Sequence, residues 1–193
     1  MTANAAFHRR PVGTLAAMLL AGATACTTAP VQGVVENLDP VTGTTVVVLS
    51  QPVELVTEQN RGPTRDPFAF TAPFEIDRMG DRSLYLWIST PQDNGVVQHV
   101  EILCDGQPLT LDPASLNLKQ VGLSRTPYPA SAPWSGEHYF PLPESALQCL
   151  AGAQQVSVVA ELPTGTQDRF STDASHLRGL AAFAMRRSTA AAP

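Results

Sequence analysis

The stretch FAFTAPFEIDRMGDRSLYLWIST, residues 68–90, decides the fold of this chain. From Phe68 to Ile76 every second side chain is apolar, which is the period of a strand with one buried face. The residues 77–82 form a glycine-bearing turn, and the following SLYLWIST is apolar on both faces, as in a central strand covered on two sides. Because Pro73 cannot donate to a ladder, the first strand is predicted to lie at an edge or to carry a bulge there. The whole stretch therefore predicts a β-hairpin.

Further strand signals recur along the chain at the intervals of an all-β domain. The dipeptide Asp105-Gly106 is well suited to a type I′ hairpin turn. The segment 52–58 is either a separate strand or the continuation of the preceding one past a bend at Gln51-Pro52. Runs of β-branched and apolar residues predict strands at 42–50, 52–58, 96–104, 107–111, 116–122, 137–142 and 155–162.

Two later segments carry helix signals. The sequence PESALQCLAG, residues 143–152, predicts one or two turns that end at a glycine. Residues 171–187 offer capping residues, an alanine-rich interior and terminal arginines, which predict a helix with Leu177, Leu180 and Ala184 buried. A final strand is the alternative, because Gly179 weakens a helix. The sequence thus predicts a mainly β fold, an antiparallel β-sandwich or small barrel of about seven or eight strands with one C-terminal helix.

The composition argues against nucleic-acid binding. Twelve Lys and Arg residues against 17 Asp and Glu residues give a net charge of −5, and Lys119 is the only lysine. Phosphate contacts need clustered cations, and no basic patch is present after residue 25.

The N-terminus reads as a targeting segment. His8, Arg9 and Arg10 precede the apolar run VGTLAAMLLAG at 12–22, and small residues follow at 23–25. This is the pattern of a secretory signal. The apolar run is shorter than the roughly 20 residues that a membrane-spanning helix needs.

The residues LAGATAC, 20–26, resemble the lipobox of bacterial lipoproteins. The resemblance implies cleavage before Cys26 and acylation of its sulfur and its new amino group. Thr27, with no aspartate at that position, implies sorting to the outer membrane. Acyl chains that contribute ~0.8 kcal/mol per buried methylene would hold the protein on the membrane. The alternative is an ordinary signal cut near Ala25, which would leave Cys26 as a free thiol.

A second stretch, EIDRMGDRSLYLW at 75–87, resembles a segment of uncharacterised proteobacterial lipoproteins. It covers little of the chain and implies no activity. The predicted organisation is a removed signal peptide at 1–25, a lipidated N-terminus and tether at 26–40, and a single β-rich domain at 41–193.

With Cys26 assigned to lipid, Cys104 and Cys149 remain as a pair in an exported protein. A structural disulfide is the preferred interpretation, and a loop of this length would contribute ~4 kcal/mol in the chain-entropy model. Two buried thiols or a metal pair are the alternatives. A metal site is disfavoured because neither cysteine lies in a CxxC motif or has a histidine at ligand spacing.

The sequence holds two weak chemical constellations. His99 and Glu101 share one strand face and could bind a metal, but a solvent-facing polar row explains them as well. Ser135, Glu137 and His138 invite a catalytic reading, yet three neighbours on one strand do not supply a nucleophile, a base and an orienting acid. We therefore expect no catalytic residues, no metal and no cofactor.

The proline-rich segment SRTPYPASAPWSG, residues 124–136, is the candidate for recognition. Tyr128 and Trp134 on a proline-stiffened loop lose little entropy on binding, and such residues dominate interface hot spots. The alternative is a loop folded back over the domain with Trp134 buried.

These observations predict a membrane-anchored periplasmic lipoprotein with a non-catalytic binding or scaffolding role, with an envelope protein as its partner. A small-ligand carrier with an apolar cavity is one alternative. A periplasmic hydrolase with a dispersed active site is the other.

Overall fold

A computed structural model describes residues 33–59, 67–92, 97–111, 115–129 and 132–190. These residues form ten strands and three helices. The strands are β1 Val34–Asp39, β2 Thr44–Leu49, β3 Val53–Thr57, β4 Phe68–Arg78, β5 Asp81–Pro91, β6 His99–Cys104, β7 Gln107–Pro108, β8 Ser135–Pro141, β9 Gln155–Glu161 and β10 Gln167–Asp173. The helices are α1 Leu118–Val121, α2 Glu144–Gly152 and α3 Arg178–Ala190.

All strand pairs in the sheet are antiparallel. The sheet runs in the order β1-β2-β4-β3-β10-β9-β6-β7, and β5 joins β4 to β8. Its end strands β1 and β7 are not paired with each other, so the small-barrel alternative is wrong. The predicted mainly β, antiparallel fold with a C-terminal helix is confirmed, although the strands outnumber the prediction.

The hairpin of β4 and β5 is the centre of the sheet, as the opening stretch predicts. Their register pairs Phe70 with Ser89 and Arg78 with Asp81. The other edge of β4 pairs with both β2 and β3. The strand β3 therefore continues the line of β2 past a bend. Pro73 lies in the part of β4 that pairs with neither β2 nor β3. Its missing N–H therefore removes no hydrogen bond from the sheet at this edge. An edge position for β4 is therefore wrong, and a local interruption at the proline is what the structure shows.

The predicted tether at 26–40 needs a correction. Residues 34–39 form β1, which pairs with β2 from Val34↔Leu49 to Asp39↔Thr44. The sequence VVENLD shows no apolar alternation. None is needed, because four of its six side chains are exposed at the edge of the sheet. The backbone ladder, rather than side-chain burial, holds this strand in place.

The strand predicted at 116–122 is also wrong. Leu116 forms one isolated bridge, and a short helix, α1, follows from Leu118 to Val121. A capping box starts the helix: the Asn117 side chain accepts from the Gln120 N–H, and the Gln120 side chain accepts from the Asn117 N–H. The Asn-x-x-Gln spacing carried this signal, which the apolar alternation obscured.

The helix predicted at 171–187 begins later than expected. Residues 167–173 form β10, in which Asp168 and Phe170 are buried and pair with β9. The apparent cap residues after Asp173 belong to the turn before α3, not to its first turn. Leu177, Leu180 and Ala184 are all buried as predicted, although Leu177 lies just before the first residue of α3.

One buried cluster of apolar residues runs through the strands and helices. Trp87, Phe74 and Phe170 are its largest fully buried side chains in the sheet. Cys104, at the end of β6, is joined to Cys149 of α2 with a Cα–Cα distance of 6.4 Å.

Candidate recognition surface

Tyr128 holds the proline-rich segment against the sheet. Its side chain is 2% exposed, and its ring lies 5.0 Å from that of Trp87. The hydroxyl accepts from the Leu49 N–H at 2.9 Å and donates to the Pro73 carbonyl at 2.7 Å. Burial raises the pKa of this phenol well above its usual value. Tyr128 therefore acts as an internal support, and its side chain is not available to a partner in this conformation.

Trp134 behaves differently from Tyr128 on the same segment. Its side chain is 55% exposed, so the alternative that buries it under a folded-back loop is wrong. Its carbonyl accepts from the Gln92 N–H, which fixes the backbone beside the end of β5. A contact between Trp134 and a partner stays a prediction.

Asp39 fastens the other end of the proline-rich segment. Its carboxylate accepts from the backbone N–H of Ser124 at 2.7 Å and from the hydroxyl of Ser124 at 2.6 Å. It also accepts from the N–H groups of Val41 and Thr42 in the β1–β2 turn. The hydrogen bonds from Ser124 hold the pKa of Asp39 well below its usual value. The sequence signal was an aspartate before a turn, Asp39-Pro-Val-Thr-Gly, which favours an Asx turn.

A groove of about 380 Å³ lies between the β1–β2 hairpin and this fastened segment. Apolar side chains form most of its floor and wall, while one cation stands in it. Leu38, at its rim, is 60% exposed. The groove is lined by Asn37, Leu38, Asp39, Val46, Val48, Leu123, Arg125, Thr126, Pro127 and Pro129.

The residues Ser135, Glu137 and His138 do not converge on one point. Glu137 and His138 are neighbours on β8, so their side chains lie on opposite faces of the sheet. Ser135 donates its hydroxyl to the Ala132 carbonyl in a local turn. The His138 Nε2 atom is buried without a hydrogen-bond partner among the described residues, and burial lowers the pKa of its imidazole. This geometry offers no base beside a nucleophile.

Glu137 instead belongs to a polar cluster beneath the proline-rich segment. Tyr139 donates to its Oε2 atom at 2.6 Å, and Thr126 donates to its Oε1 atom at 3.2 Å. Burial, followed by the hydrogen bond to Glu137, raises the pKa of the Tyr139 phenol. The cluster joins the segment to β8 and explains these residues structurally.

A second group of Asp, Ser and His side chains was not expected from the sequence. In the turn before α3, the His176 Nδ1 atom lies 3.1 Å from the Ser175 hydroxyl and 3.3 Å from the Asp173 carboxylate. A catalytic triad needs the two ring nitrogens of histidine to face different partners, whereas here one nitrogen faces both. Asp173 also accepts from the Ser175 N–H, so the group is a hydrogen-bonded turn.

The described ranges contain no cluster of side chains suited to binding a metal ion. No group of three His, Cys, Asp or Glu side chains there could hold an ion. His99 lies opposite Glu161 of β9, and Glu101 lies opposite Val159. His99 is exposed and Glu101 is half-buried.

A buried carboxylate that the sequence did not reveal connects α3 to the sheet. Glu75 of β4 is 3% exposed and forms an ion pair with Arg187 of α3. Arg187 also pairs with Glu144 in the first turn of α2 at 2.7 Å, while Arg82 lies 3.8 Å from Glu75. The arrangement fixes both helices on one face of β4.

The predicted lipidation site Cys26 and the predicted signal at 1–25 lie outside the described residues. Among the residues that are described, no helix has the length and apolar character required to cross a bilayer.

The fold and surface define a β-rich domain with an open-edged antiparallel sheet and a groove beside that edge. Comparisons with protein-family models, curated proteins and solved structures find no match to this chain.

Proposed function

We propose that this protein is a lipoprotein of the bacterial envelope, anchored to the outer membrane through Cys26 and facing the periplasm. Its role is non-catalytic: it binds or scaffolds an envelope protein at the groove between the β1–β2 hairpin and residues 123–129. The lipobox-like residues 20–26 support the anchor.

The chain length between anchor and domain suits such a role. Six residues, 27–32, lie between Cys26 and Gly33, so seven Cα–Cα steps separate the two. At about 3.3–3.6 Å per residue, they span at most about 25 Å. The groove would therefore work close to the membrane surface rather than at the end of a long linker.

The groove itself is the observation that carries the binding role. It combines an apolar floor, an exposed Leu38 at its rim and a wall fastened by Tyr128 and Asp39. A wall that is already ordered loses little entropy when a partner binds. Exposed apolar side chains beside a groove are typical of interaction sites.

A small-ligand carrier is the second candidate, because the groove volume falls within the range of small-molecule sites. The groove is lined by a sheet edge and a loop rather than enclosed between sheet and helix, which favours a macromolecular partner.

Two measurements test the proposal. The intact mass of protein extracted from membranes reports the anchor: a chain that begins at Cys26 and carries acyl groups is expected, and the same chain without added mass would contradict it. Crosslinking in intact cells, followed by purification from the membrane fraction, reports the partner. A Cys26→Ala variant is the control and should lose both the membrane association and the complex. Recovery of a tightly bound small molecule in place of a protein would favour the carrier.

A further inference from the structure

Strand β1 is an open edge of the sheet. It pairs with β2 and with no other strand of the described chain. The opposite end of the sheet is β7, which has only two residues and ends at Pro108, a residue that cannot donate to a further strand. The six residues of β1 include no proline, and the side chains at 35–38 are exposed, although Glu36 forms an ion pair with Arg186 of α3.

The hydrogen-bond phase of β1 identifies the backbone groups that face outward. Ser50 donates its N–H to the Gly33 carbonyl at 2.7 Å, so these two residues form a hydrogen-bonded pair. Such pairs alternate with non-hydrogen-bonded ones along an antiparallel ladder. The residues whose N–H and C=O groups point away from β2 are therefore Val34, Glu36 and Leu38.

Two contacts confirm this phase independently. The N–H of Leu49, opposite Val34, points away from β1 and reaches the Tyr128 hydroxyl. The Leu38 carbonyl accepts from Arg125 at 3.4 Å, outside the sheet. Only a group that points outward could make the second contact.

The groove continues this edge on one face of the sheet. Asn37 and Asp39 lie opposite Val46 and Thr44, and the first three of these side chains line the groove. A strand added beside β1 would direct every second side chain to the same face. Apolar side chains at that spacing would meet the apolar surface of the groove.

Arg125 gives the groove its charge preference. The Asp39 carboxylate is already occupied by Ser124 and by the β1–β2 turn. Arg125, by contrast, makes no ion pair with any residue in the described ranges, and its side chain is exposed. The ionised Asp39 thus has its oxygens filled by neutral donors, and Arg125 is the charged lining side chain that can still form an ion pair, which favours a carboxylate on the partner.

We propose that β1 binds an extended acidic segment of a partner protein by strand addition. The segment hydrogen-bonds to the outward groups of Val34, Glu36 and Leu38, places alternate apolar side chains in the groove and pairs a carboxylate with Arg125. This inference rests on the proposed binding role and names its partner chemistry. A second copy of this chain fits less well, because the longest two-fold register of β1 with itself sets Glu36 opposite Glu36.

The test uses a synthetic peptide and the full chain extracted in detergent. The probe is fluorescein-labelled Thr-Val-Thr-Asp-Thr-Val-Thr amide, in which the Asp shares one strand face with both valines. Versions carry Asn or Lys in place of Asp, and binding is read by fluorescence anisotropy. Glu36→Pro removes one outward N–H without touching the ladder to β2, since proline is tolerated at such edge positions. Glu36→Ala is its matched control, which removes the same side chain and keeps the N–H.

The expected result is binding of the acidic peptide to the wild type and to Glu36→Ala, weakened about tenfold or more in Glu36→Pro. The Asn version should bind less tightly, and Arg125→Gln should abolish the difference between the two. Hydrogen exchange of the wild-type chain gives a readout that does not depend on how the proline variant folds: the peptide should slow exchange of the Glu36 N–H more than that of Asn37, which is already bonded.

Three results would overturn strand addition. One is equal binding to Glu36→Pro and Glu36→Ala, and another is the absence of binding by all three peptides at about 1 mM. The third is a concentration-dependent dimer that Glu36→Pro abolishes, which would assign the edge to a second copy. None of them touches the membrane anchor or the crosslinked complex, so failure here is distinguishable from failure of the proposed function.

Discussion

The Tyr128 hydroxyl donates to the carbonyl of Pro73 at 2.7 Å, although 55 positions separate the two residues. It occupies the interval of β4 that neither β2 nor β3 pairs, and it also satisfies the N–H of Leu49 at the end of β2. A bend in a buried strand would otherwise leave these backbone groups without partners. The phenol thus completes the sheet and, by the same contacts, positions the wall of the groove.

The first prediction concerns this hydroxyl. Tyr128→Phe keeps the ring against Trp87 but leaves two buried backbone groups without their partner. We expect the free energy of unfolding to fall by about 2 kcal/mol, measured by urea denaturation. Tyr85→Phe is the matched control, because the Tyr85 ring stacks on Phe74 and its hydroxyl has no hydrogen bond to a described residue. Equal effects of the two substitutions would contradict the role given to Tyr128.

The second prediction concerns alkaline pH. The pKa of Tyr128 is raised in the folded state, so the unfolded chain loses this proton first as the pH rises. The protonated phenol stabilises the fold fully below about pH 10, and this contribution declines as the pH approaches the folded-state pKa. Tyr139 has a raised pKa as well and adds to the same trend.

Thermal unfolding between about pH 9 and 11 checks this expectation. The wild type should lose stability with increasing pH, and Tyr128→Phe should lose less over the same interval. A parallel decline in both proteins would show that Tyr128 does not contribute.

Much of the fold was predictable because its strands carry local signals. The Phe68–Ile76 alternation and the Asp105-Gly106 turn dictate structure over a few residues, and the latter has positive φ at both positions as a type I′ turn requires. The stripe of α3 follows from a helical period in the same way. The strand β1 could not be found like this, because an edge strand held by backbone hydrogen bonds needs no apolar alternation.

The candidate surface was less predictable, because its key contacts join residues far apart in the sequence. The sequence predicts the same role for Tyr128 and Trp134 on one proline-rich segment, but the first side chain is buried and the second is exposed. The difference arises from the gap at Pro73, which a single sequence does not reveal. The pairing of Glu75 with Arg187 is hidden for the same reason, since 112 positions separate them.

The third prediction concerns acid. The hydrogen bonds from Ser124 hold the pKa of Asp39 below its unfolded value, so the ionised carboxylate stabilises the fold above about pH 4. This contribution is lost as the pH falls through the folded-state pKa. Asp39→Asn should remove it and flatten the dependence of stability on pH below about 4.

The control for this third prediction is Asp81→Asn, at the exposed tip of the β4–β5 hairpin. It should leave the acid dependence near that of the wild type. Chemical denaturation at a series of pH values gives the comparison. If Asp39→Asn lost stability in acid as steeply as the wild type, Asp39 would not be the source of the acid dependence.

The fourth prediction concerns the buried ion pair under α3. Arg187→Met would leave the Glu75 carboxylate buried, with Arg82 3.8 Å away as its nearest cation. Removal of one member of a buried pair costs about 3 kcal/mol, because the remaining charge is uncompensated. Replacement of both members by methionine should recover most of this loss, since no buried charge then remains.

Arg186→Met supplies the matched control on the same helix. Arg186 pairs with Glu36, whose side chain is 59% exposed, so we expect its loss to cost less than about 1 kcal/mol. Urea denaturation of Arg187→Met, of Arg186→Met and of the variant with methionine at both 75 and 187 makes the comparison. If Arg187→Met were no more destabilising than Arg186→Met, the pair with Glu75 would not hold α3 on the sheet. If the double variant were as unstable as the single one, the loss would come from packing of the arginine stem and not from an unpaired carboxylate.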